Sequence, residues 1–287
     1  MAGGVDLHVH STSSDGRAGP AEVARQACSA GLDCIALTDH NVIDGLEPLG
    51  KCLDGTGVRL VAGVELTADG DDGAEIHILG YDVDTGSEVL ERVLEKIAVL
   101  KRRQLACMVA GLRQLGVDIS ADDLPQKECG YVGRPVLARL LVERGIVRSS
   151  SQAFSRYLGA AGSVYAPLGA LGPTECVELI HEIGGLAVLA HPRMELLDSW
   201  VGRLAEAGLD GLEVYRPRAD SAEVFYAETV ARDLGMVATG GSDWHGLPAE
   251  GPLGSFAVEF EKVAEFFARL EGCASAAREE DGPDARD

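Results

Sequence analysis

The sequence lacks the cysteine patterns of disulfide-rich proteins and of cysteine-based zinc sites. Its 287 residues contain seven cysteines, an odd number, and no two of them form a CxxC pair. Disulfide frameworks and zinc ribbons depend on paired, closely spaced cysteines. We therefore expect free thiols and a reducing compartment. The seven are Cys28, Cys34, Cys52, Cys107, Cys129, Cys176 and Cys273.

Long apolar runs are also missing, and no stretch reaches the roughly 20 residues that a transmembrane helix needs. An apolar strand pattern begins at Val5, which leaves no room for a signal peptide before it. These features predict a cytoplasmic protein without a membrane partner.

Basic residues are scarce, because 25 Lys and Arg stand against 46 Asp and Glu, giving a formal net charge of -21. Proteins that bind duplex nucleic acid need a basic surface, so we expect no such partner. A small phosphorylated ligand stays possible, because a bound metal ion can supply positive charge locally. The basic patch "KRRQ", Lys101 to Gln104, could hold a short strand, but it is also typical of the solvated face of a helix.

What the sequence does contain is a regular alternation of short apolar runs and helical segments. Buried strands that alternate with helices predict βα units and a parallel sheet, close to a (β/α) barrel. Seven runs qualify as strands: "VDLHV", "DCIALT", "VRLVAGVEL", "AEIHILGYDV", "LAVLAH", "GLEVY" and "MVATGGSD". Helical periodicity marks "PAEVARQACSAG", "PTECVELIHEIGG", "SAEVFYAETVARDLG" and "FEKVAEFFARLEG" between or after them.

The middle of the chain interrupts this alternation. Residues 85–171 show helical patterns and no strand pattern, so we predict a helical insertion between barrel parts at 1–84 and 172–271. The last stretch, 272–287, is polar and charged with little to bury, which predicts a disordered acidic tail.

Polar residues that can bind metal lie where the apolar runs end. His8 and His10 are two residues apart, so a strand would direct both to one face. The carboxyl ends of barrel strands meet on one face, which predicts a multinuclear metal site there. His181, in a helical segment, is interpreted as structural. Other candidates at strand ends are Asp39, His40, Glu65, His77, His191, Asp243 and His245, with Asp15 in the loop after the first strand.

Imidazole and carboxylate ligands suit manganese, zinc or iron and do not choose among them. A catalytic ion rarely takes more than four protein ligands, so this set is too large for one ion. We therefore expect two to three divalent ions, with a carboxylate such as Glu65 bridging two of them.

The motifs "HVHSTSSDG", "ALTDH", "GVEL", "IHILGY", "LAHP" and "GGSDWHG", in this order, resemble the PHP (polymerase and histidinol phosphatase) family. The insertion and the phrase "GRPVLARLLVERG", Gly133 to Gly145, are similar to the stand-alone bacterial branch that acts on nucleotides and other small phosphoesters. The resemblance implies an α/β fold, a distorted (β/α)7 TIM-like barrel with a helical insertion that forms a pocket wall.

The resemblance also implies a trinuclear site and a phosphate ligand. A hydroxide between the first two ions would attack phosphorus, and Arg134 would bind the substrate phosphate. Such ions would neutralise the phosphate charge and lower the pKa of a bound water from 15.7 to about 7. The implied ligand sets are His8, His10, Glu65 and Asp243; then Glu65, His77 and His191; then Asp15, His40 and His245.

Two positions depart from that branch. Val136 stands where a histidine is usual after "GRP", and Asn41 stands in the second acidic place of "TDHDT". Neither change removes a ligand, but Val136 would border the phosphate or leaving group and so affects which ester is preferred.

The resulting hypothesis is a metal-dependent phosphoesterase for a small phosphorylated substrate, a nucleoside monophosphate or 3',5'-bisphosphate. Alternatives are a cyclic phosphodiesterase, a 5'→3' exonuclease on short oligonucleotides, and a non-catalytic metal-binding module. An amidohydrolase would need a bridging lysine at a strand end. The five lysines, in helical or loop segments, are Lys51, Lys96, Lys101, Lys127 and Lys262.

Overall fold

A seven-stranded sheet organises the computed structural model, which describes residues 3–124 and 133–280, with side chains up to residue 272. All seven predicted strands are confirmed, and they follow one another across the sheet in chain order. Lys127 and Cys129 lie outside the described residues. The strands are β1 (Val5–Val9), β2 (Cys34–Leu37), β3 (Arg59–Asp69), β4 (Glu75–Tyr81), β5 (Leu186–Leu189), β6 (Gly211–Tyr215) and β7 (Val237–Gly240).

Nine α-helices accompany the sheet within the described ranges. Apolar residues on the inner faces of α6 and α7, such as Ile180 and Trp200, pack against strand residues such as Ile78. The helices are α1 (Pro20–Ala30), α2 (Leu46–Leu53), α3 (Glu88–Gln114), α4 (Arg134–Glu143), α5 (Ser150–Ala153), α6 (Pro173–Glu182), α7 (Met194–Glu206), α8 (Ser221–Asp233) and α9 (Ala264–Glu280).

The sheet is mixed, so the prediction of a parallel sheet is wrong at β4. This strand runs antiparallel to both β3 and β5. The reason is the short connection 70–74, where the N–H of Gly70 donates to the carbonyl of Ala74 at 2.7 Å. A hairpin turn reverses the chain, whereas a parallel neighbour needs a crossover of a dozen or more residues. The beginning of β4 therefore lies where the other strands end.

The sheet curls until its two edges meet, which gives the α/β fold expected of a TIM-like barrel. Just beyond β7, the carbonyl of Trp244 accepts a hydrogen bond from the N–H of His10 at 2.9 Å. At the other end of β1, Val5 and Val258 exchange backbone hydrogen bonds of 2.9 and 2.8 Å. Inward-facing apolar residues such as Leu7 and Val188 fill the interior.

Residues 85–171 lie between β4 and β5, and their described part contains helices and no strand. α3, α4, α5 and a π-helical turn at Phe154–Leu158 bury an apolar cluster of their own. That cluster includes Leu105, Met108, Leu112, Leu137, Leu141 and Leu158.

The C-terminal segment differs from its prediction. Helix α9 continues to Glu280, so residues 272–280 are helical and not a disordered tail. The segment "CASAAREE" is rich in alanine, arginine and glutamate, which have high intrinsic helix propensity and can extend a helix that is already nucleated.

Disulfide bonds and membrane-spanning helices are both absent from the described residues. The five cysteines whose side chains are described are free thiols: Cys28, Cys34, Cys52, Cys107 and Cys176. No helix in the same part of the chain is long and apolar enough to cross a membrane.

Candidate metal centre

The strand β1 delivers the first two histidines to one buried point. His8 and His10 are both fully buried, and their ring centroids are 5.1 Å apart. Their two-residue spacing places them on the same face of the strand, as the sequence predicts. His8 lies in β1 and His10 directly follows it, so one stretch of backbone directs both imidazoles to the same point.

Glu65, fully buried in β3, lies at the centre of the cluster. Five imidazole nitrogens, each from a different histidine, lie within 3.4 Å of its two carboxylate oxygens. Its Oε2 is 3.4 Å from His8 Nε2, 3.3 Å from His10 Nε2 and 2.8 Å from His40 Nδ1, and its Oε1 is 2.8 Å from His77 Nδ1 and 3.1 Å from His191 Nε2.

Two further carboxylates flank this centre. Asp243, beyond β7, places Oδ1 at 3.4 Å from His8 Nε2 and 3.1 Å from His10 Nε2. Asp15, in the loop after β1, places Oδ1 at 3.3 Å from His245 Nε2. The cluster thus has carboxylates on more than one side of its imidazoles.

The structure brings together all nine positions that the family resemblance implies as ligands. The groupings differ in detail, because His10 also joins the third set and His40 joins the second. His191 contacts Glu65 but belongs to none of the three sets of ligand atoms that lie within 4.8 Å of one another. Ligand atoms within 4.8 Å of one another form three sets: His10, Asp15, His40 and His245; His8, His10 and Asp243; His40, Glu65 and His77.

Several buried nitrogen and oxygen atoms in this cluster have no hydrogen-bond partner among the described residues. They are His8 Nε2, both ring nitrogens of His10, and Glu65 Oε2. Leaving buried polar atoms unpaired is costly, and native structures rarely tolerate it. Imidazole and carboxylate donors directed at a common point match the ligand preference of borderline divalent metals. The residues present therefore fit a divalent metal centre.

The protonation states of His8 and His10 depend on the charges of their neighbours. Burial opposes protonation of His8, but Glu213, Glu65 and Asp243 raise its pKa well above the usual value. Burial and the charge of His245 together lower the pKa of His10 to about 3. His10 is therefore neutral at physiological pH, which is the form that binds a metal.

The carboxylates of the cluster are ionised. Burial favours the neutral form of Glu65, but His40, His77 and His8 hold its pKa well below the usual range. Burial also favours the neutral form of His77 and so lowers its pKa. The charges and hydrogen bonds of Glu65 and Glu75 together have the larger effect and raise the pKa of His77 to about 10. Protons on such histidines compensate the carboxylate charge, and a divalent cation binding there would release them.

Glu213, which the sequence interpretation missed, connects two of the histidines. It is buried in β6, and its Oε1 is 3.0 Å from His8 Nδ1. Its Oε2 accepts a hydrogen bond from the backbone N–H of His191 at 2.6 Å. The available signal was a carboxylate inside the apolar strand "GLEVY".

Glu75 occupies the same kind of position behind His77, with Oε1 at 3.3 Å from His77 Nε2. Its Oε2 forms an ion pair with Arg134, which is buried at the start of α4. The Arg134 guanidinium also lies 5.6 Å from the ring centroids of Phe154 and Tyr165. Arg134 therefore reaches the cluster through Glu75.

The basic patch 101–104 is only partly a solvated helix face. Lys101 and Gln104 are buried, whereas Arg102 and Arg103 are exposed. The three-residue spacing puts the first and last on the inner side of α3. Lys101 Nζ lies 3.4 Å from Thr67 Oγ1, and burial lowers the pKa of Lys101 to about 8.

Both residues that depart from the family pattern are buried. Val136 is buried in α4. Asn41 is buried and braces β3, since its Nδ2 donates to Thr67 Oγ1 at 2.8 Å and its Oδ1 accepts from Thr67 N–H at 3.0 Å.

Asp39 holds a loop and lies outside the groups of candidate ligand atoms, unlike its neighbour His40. Its carboxylate accepts hydrogen bonds from the N–H of Ser11 at 2.7 Å and the hydroxyl of Ser11 at 2.6 Å, and from Ser14. These bonds fix the loop that carries Asp15. The sequence analysis counts Asp39 among the residues that can bind metal, because strand-end position alone does not separate a ligand from a loop anchor, whereas the ligand sets implied by the family resemblance leave Asp39 out.

Backbone strain is concentrated at the cluster. Among the described non-glycine residues, four have positive φ, and three of these lie at the site: Asn41 at 52°, His191 at 30° and Asp243 at 52°. Such conformations cost free energy and persist where surrounding contacts hold them, commonly at functional sites.

His181 and the described lysines lie outside the cluster, as the sequence predicts. The ring of His181, on α6, contacts Asp210 Oδ2 at 2.8 Å. The four described lysines belong to helical segments and none to a strand: Lys51, Lys96, Lys101 and Lys262.

A model of the PHP domain family matches residues 6–118. The chain is 30% identical over 245 residues to a 5'-3' exoribonuclease of Haemophilus influenzae, covering 84% of this chain and 89% of that one. It is 31% identical to a phosphoribosyl 1,2-cyclic phosphate 1,2-diphosphodiesterase of Eggerthella lenta, covering 88% and 98%. It is 29% identical to a 3',5'-nucleoside bisphosphate phosphatase of Chromobacterium violaceum, covering 86% and 88%.

Solved structures with the same fold include a protein of Bifidobacterium adolescentis described as a metal-dependent phosphoesterase. It is 29% identical, with a TM-score of 0.80 over 94% of this chain and 97% of that chain. A Chromobacterium violaceum structure named as an amidohydrolase, with bound sulfate and no metal, is 26% identical, with a TM-score of 0.81 over 94% and 96%.

Proposed function

Because the chain belongs to the PHP domain family and is a metal-dependent phosphoric ester hydrolase, we propose that its substrate is a small nucleotide. A nucleoside monophosphate or a 3',5'-bisphosphate fits this proposal. The 3',5'-bisphosphate phosphatase of Chromobacterium violaceum, at 29% identity over most of both chains, supports it.

The buried imidazole and carboxylate atoms without hydrogen-bond partners carry the proposal, since these atoms match metal ligands. Two to three divalent ions, manganese, zinc or iron, would be held by the nine cluster residues. When bound, the ions would neutralise phosphate charge and lower the pKa of water towards about 7. The nine residues are His8, His10, Asp15, His40, Glu65, His77, His191, Asp243 and His245.

The remaining polar residues would orient these ligands. Glu213 fixes the ring of His8 from behind, and Glu75 does the same for His77. Carboxylates that hold the far nitrogen of a metal-binding histidine set its orientation and basicity.

Arg134 would receive a phosphate oxygen of the substrate by exchanging its ion pair with Glu75. A planar guanidinium can bind two phosphate oxygens at once, which a lysine cannot do. The helical segment 85–171 would form the pocket wall on this side, because Arg134 and Lys101 both extend from it towards Glu75 and β3.

Two alternatives within the same chemistry have support from relatives. The Eggerthella lenta diphosphodiesterase favours a cyclic phosphodiester, and the Haemophilus influenzae exoribonuclease favours short 5'-phosphorylated RNA. Amidohydrolase activity is not favoured, because it would need a metal-bridging lysine at a strand end and none of the described lysines lies on a strand. A non-catalytic module is not favoured either, because every ligand position is retained.

Hydrolysis with manganese present, followed by chromatography of the products, would test the proposal, because a monoester yields phosphate, a cyclic diester yields a ring-opened monoester and RNA yields nucleoside monophosphates. The panel contains nucleoside monophosphates, 3',5'-bisphosphates, cyclic phosphodiesters and short 5'-phosphorylated RNA. We expect phosphate release from nucleotides by the wild type, loss of release in His10→Ala, and a reduced rate in Arg134→Ala.

His181→Ala is the matched control, because this histidine lies outside the cluster, and it should keep wild-type activity. Silence across the panel in a preparation shown to hold two or three metals would contradict the proposal. Hydrolysis of cyclic diesters or of RNA alone would favour the corresponding alternative.

A further inference from the structure

A pocket of about 530 Å³ opens directly onto the metal-ligand cluster. Three cluster residues line one part of it: His191, Asp243 and His245. Its volume lies within the range of small-molecule sites in proteins. None of its described lining residues belongs to the helical segment 85–171, so the pocket is separate from the position of Arg134.

Two arginines from the loop after β6, Arg216 and Arg218, line the same pocket. Neither forms an ion pair with a described carboxylate, although the chain carries a net charge of -21. Some other described arginines are paired, as Arg203 is with Asp71.

The guanidinium of Arg216 is held in place by one hydrogen bond, but its buried Nε has no acceptor among the described residues. Its Nη2 donates to the carbonyl of Pro192 at 2.8 Å, which holds the guanidinium beside His191. Its Nε is buried and has no hydrogen-bond partner among the described residues. A buried donor without an acceptor is costly, so an acceptor from a ligand is expected at this point.

The two carboxylates that line the pocket are already engaged. Asp243 is directed at His8 and His10. Glu250 accepts hydrogen bonds from the N–H groups of His245 and Leu247, both at 2.9 Å. The positive charge of the arginines therefore stays available to an incoming anion.

We propose that Arg216 and Arg218 bind a second phosphate group of the substrate, so that the preferred nucleotide carries two phosphates. The inference rests on the proposed function, since one phosphate would lie at the metal cluster and the other at the arginines. Half-buried Phe256 also lines the pocket, and aromatic side chains are suited to stacking on a base. A nucleoside 3',5'-bisphosphate and a 5'-phosphorylated dinucleotide share this chemistry.

Steady-state kinetics on AMP, adenosine 3',5'-bisphosphate and the dinucleotide pApA would test the subsite. Arg218→Gln is the cleanest variant because this residue is exposed, and Arg216→Gln is the second. In each, the ratio of kcat/KM for the two-phosphate substrates to kcat/KM for AMP should fall on the order of tenfold, mainly through KM.

Arg232→Gln is the matched control. This exposed arginine on α8 pairs with Asp233 and lies by the start of β7, at the opposite end of that strand from the cluster. Its selectivity ratio should equal that of the wild type. An unchanged ratio in both pocket variants would overturn the subsite. A comparison of the turnover rates of adenosine 3',5'-bisphosphate and pApA would identify which of these two substrates the pocket prefers.

Calorimetric titration of the metal-free protein with adenosine 3',5'-bisphosphate separates this inference from the proposed function. The dissociation constant should rise on the order of tenfold in Arg218→Gln. Arginine-dependent binding without hydrolysis of any nucleotide would refute the proposed function and keep the subsite. Equal binding by wild type and both variants would refute the subsite alone.

Discussion

At the scale of single residues, each central histidine is held from two sides. One ring nitrogen of His8 faces Glu65 and the other faces Glu213, at 3.4 and 3.0 Å. His77 is placed similarly between Glu65 and Glu75. The outer carboxylate fixes the tautomer and orientation of the ring, so that the inner nitrogen is ready for a metal.

Removing the charge of Glu213 should weaken metal binding. Glu213→Gln keeps the size of the side chain but loses the carboxylate that holds His8 and the backbone of His191. Loss of such a partner typically reduces metal affinity about 10–100-fold. Chelator competition would measure the affinity. Glu228→Gln, which alters a carboxylate bonded to Tyr215, is the control, and equal affinity in both variants would contradict the role of Glu213.

Asp6 gives a pH dependence with a definite sign. Burial raises its pKa from 3.8 to about 6, against the opposing hydrogen bonds from Ser242. The folded state therefore holds the proton more tightly than the unfolded state, so this contribution to stability is present below pH 4 and is lost as pH rises through 6. The loss corresponds to about 3 kcal/mol.

Asp6→Asn should remove that pH dependence. Urea unfolding of the metal-free proteins would show the variant gaining stability relative to the wild type between pH 4 and 6, with a constant difference above pH 7. A difference that does not vary with pH would contradict the assignment.

At the scale of elements, two junctions build the site. The β3–β4 hairpin reverses β4 and brings His77 opposite Thr67, two residues from Glu65. The junction of β1 with the segment after β7 brings Asp243 to His8 and His10. Asp6 secures this second junction, because it accepts hydrogen bonds from the N–H and hydroxyl of Ser242 at 2.8 and 2.6 Å.

A methyl group at Gly241 should separate the two edges of the sheet. Its Cβ would lie 2.4 Å from the backbone nitrogen of His8, a contact that only backbone movement can relieve. Gly241→Ala should therefore lower the free energy of unfolding by about 1–3 kcal/mol and weaken metal binding. Gly202→Ala, with open space around its Cβ in α7, should be neutral or stabilising by up to about 1 kcal/mol. Equal unfolding free energies in urea would contradict the close approach.

At the scale of the whole molecule, the cluster joins distant parts of the chain. Its residues come from β1, β3 and β4 and from the segments after β1, β2, β5 and β7. Metal binding at this point should couple to global stability, because a ligand that binds only the folded state stabilises it by mass action. The unfolded chain has no such preformed site.

Saturating manganese should raise the thermal midpoint of the wild type, and a chelator should reverse the change. At a hundredfold excess over the dissociation constant, the gain is about 2.7 kcal/mol, or roughly 4–5 °C for a chain of this size. Differential scanning fluorimetry would record it. His10→Ala should lose most of the shift and His181→Ala should keep it, and an equal shift in both would place the metal elsewhere.

The sequence by itself determined the strands and brought the candidate ligands to notice. Short apolar runs identify β1 to β7, and the two-residue spacing of His8 and His10 fixes their common face. These inferences succeed because strand pattern and side-chain direction depend on neighbouring residues alone. The length of α9 was missed because the sequence of residues 272–280 has no periodic apolar pattern.

Only the tertiary structure decided which polar residues face the cluster and which support it. Asp39 and Glu213 both occupy strands or strand ends, yet the first anchors a loop and the second orients a histidine. The reversal of β4 and the ion pair between Glu75 and Arg134 also depend on contacts between distant segments. Such contacts depend on register and strand direction, which follow from the packing of the whole sheet and not from any local stretch.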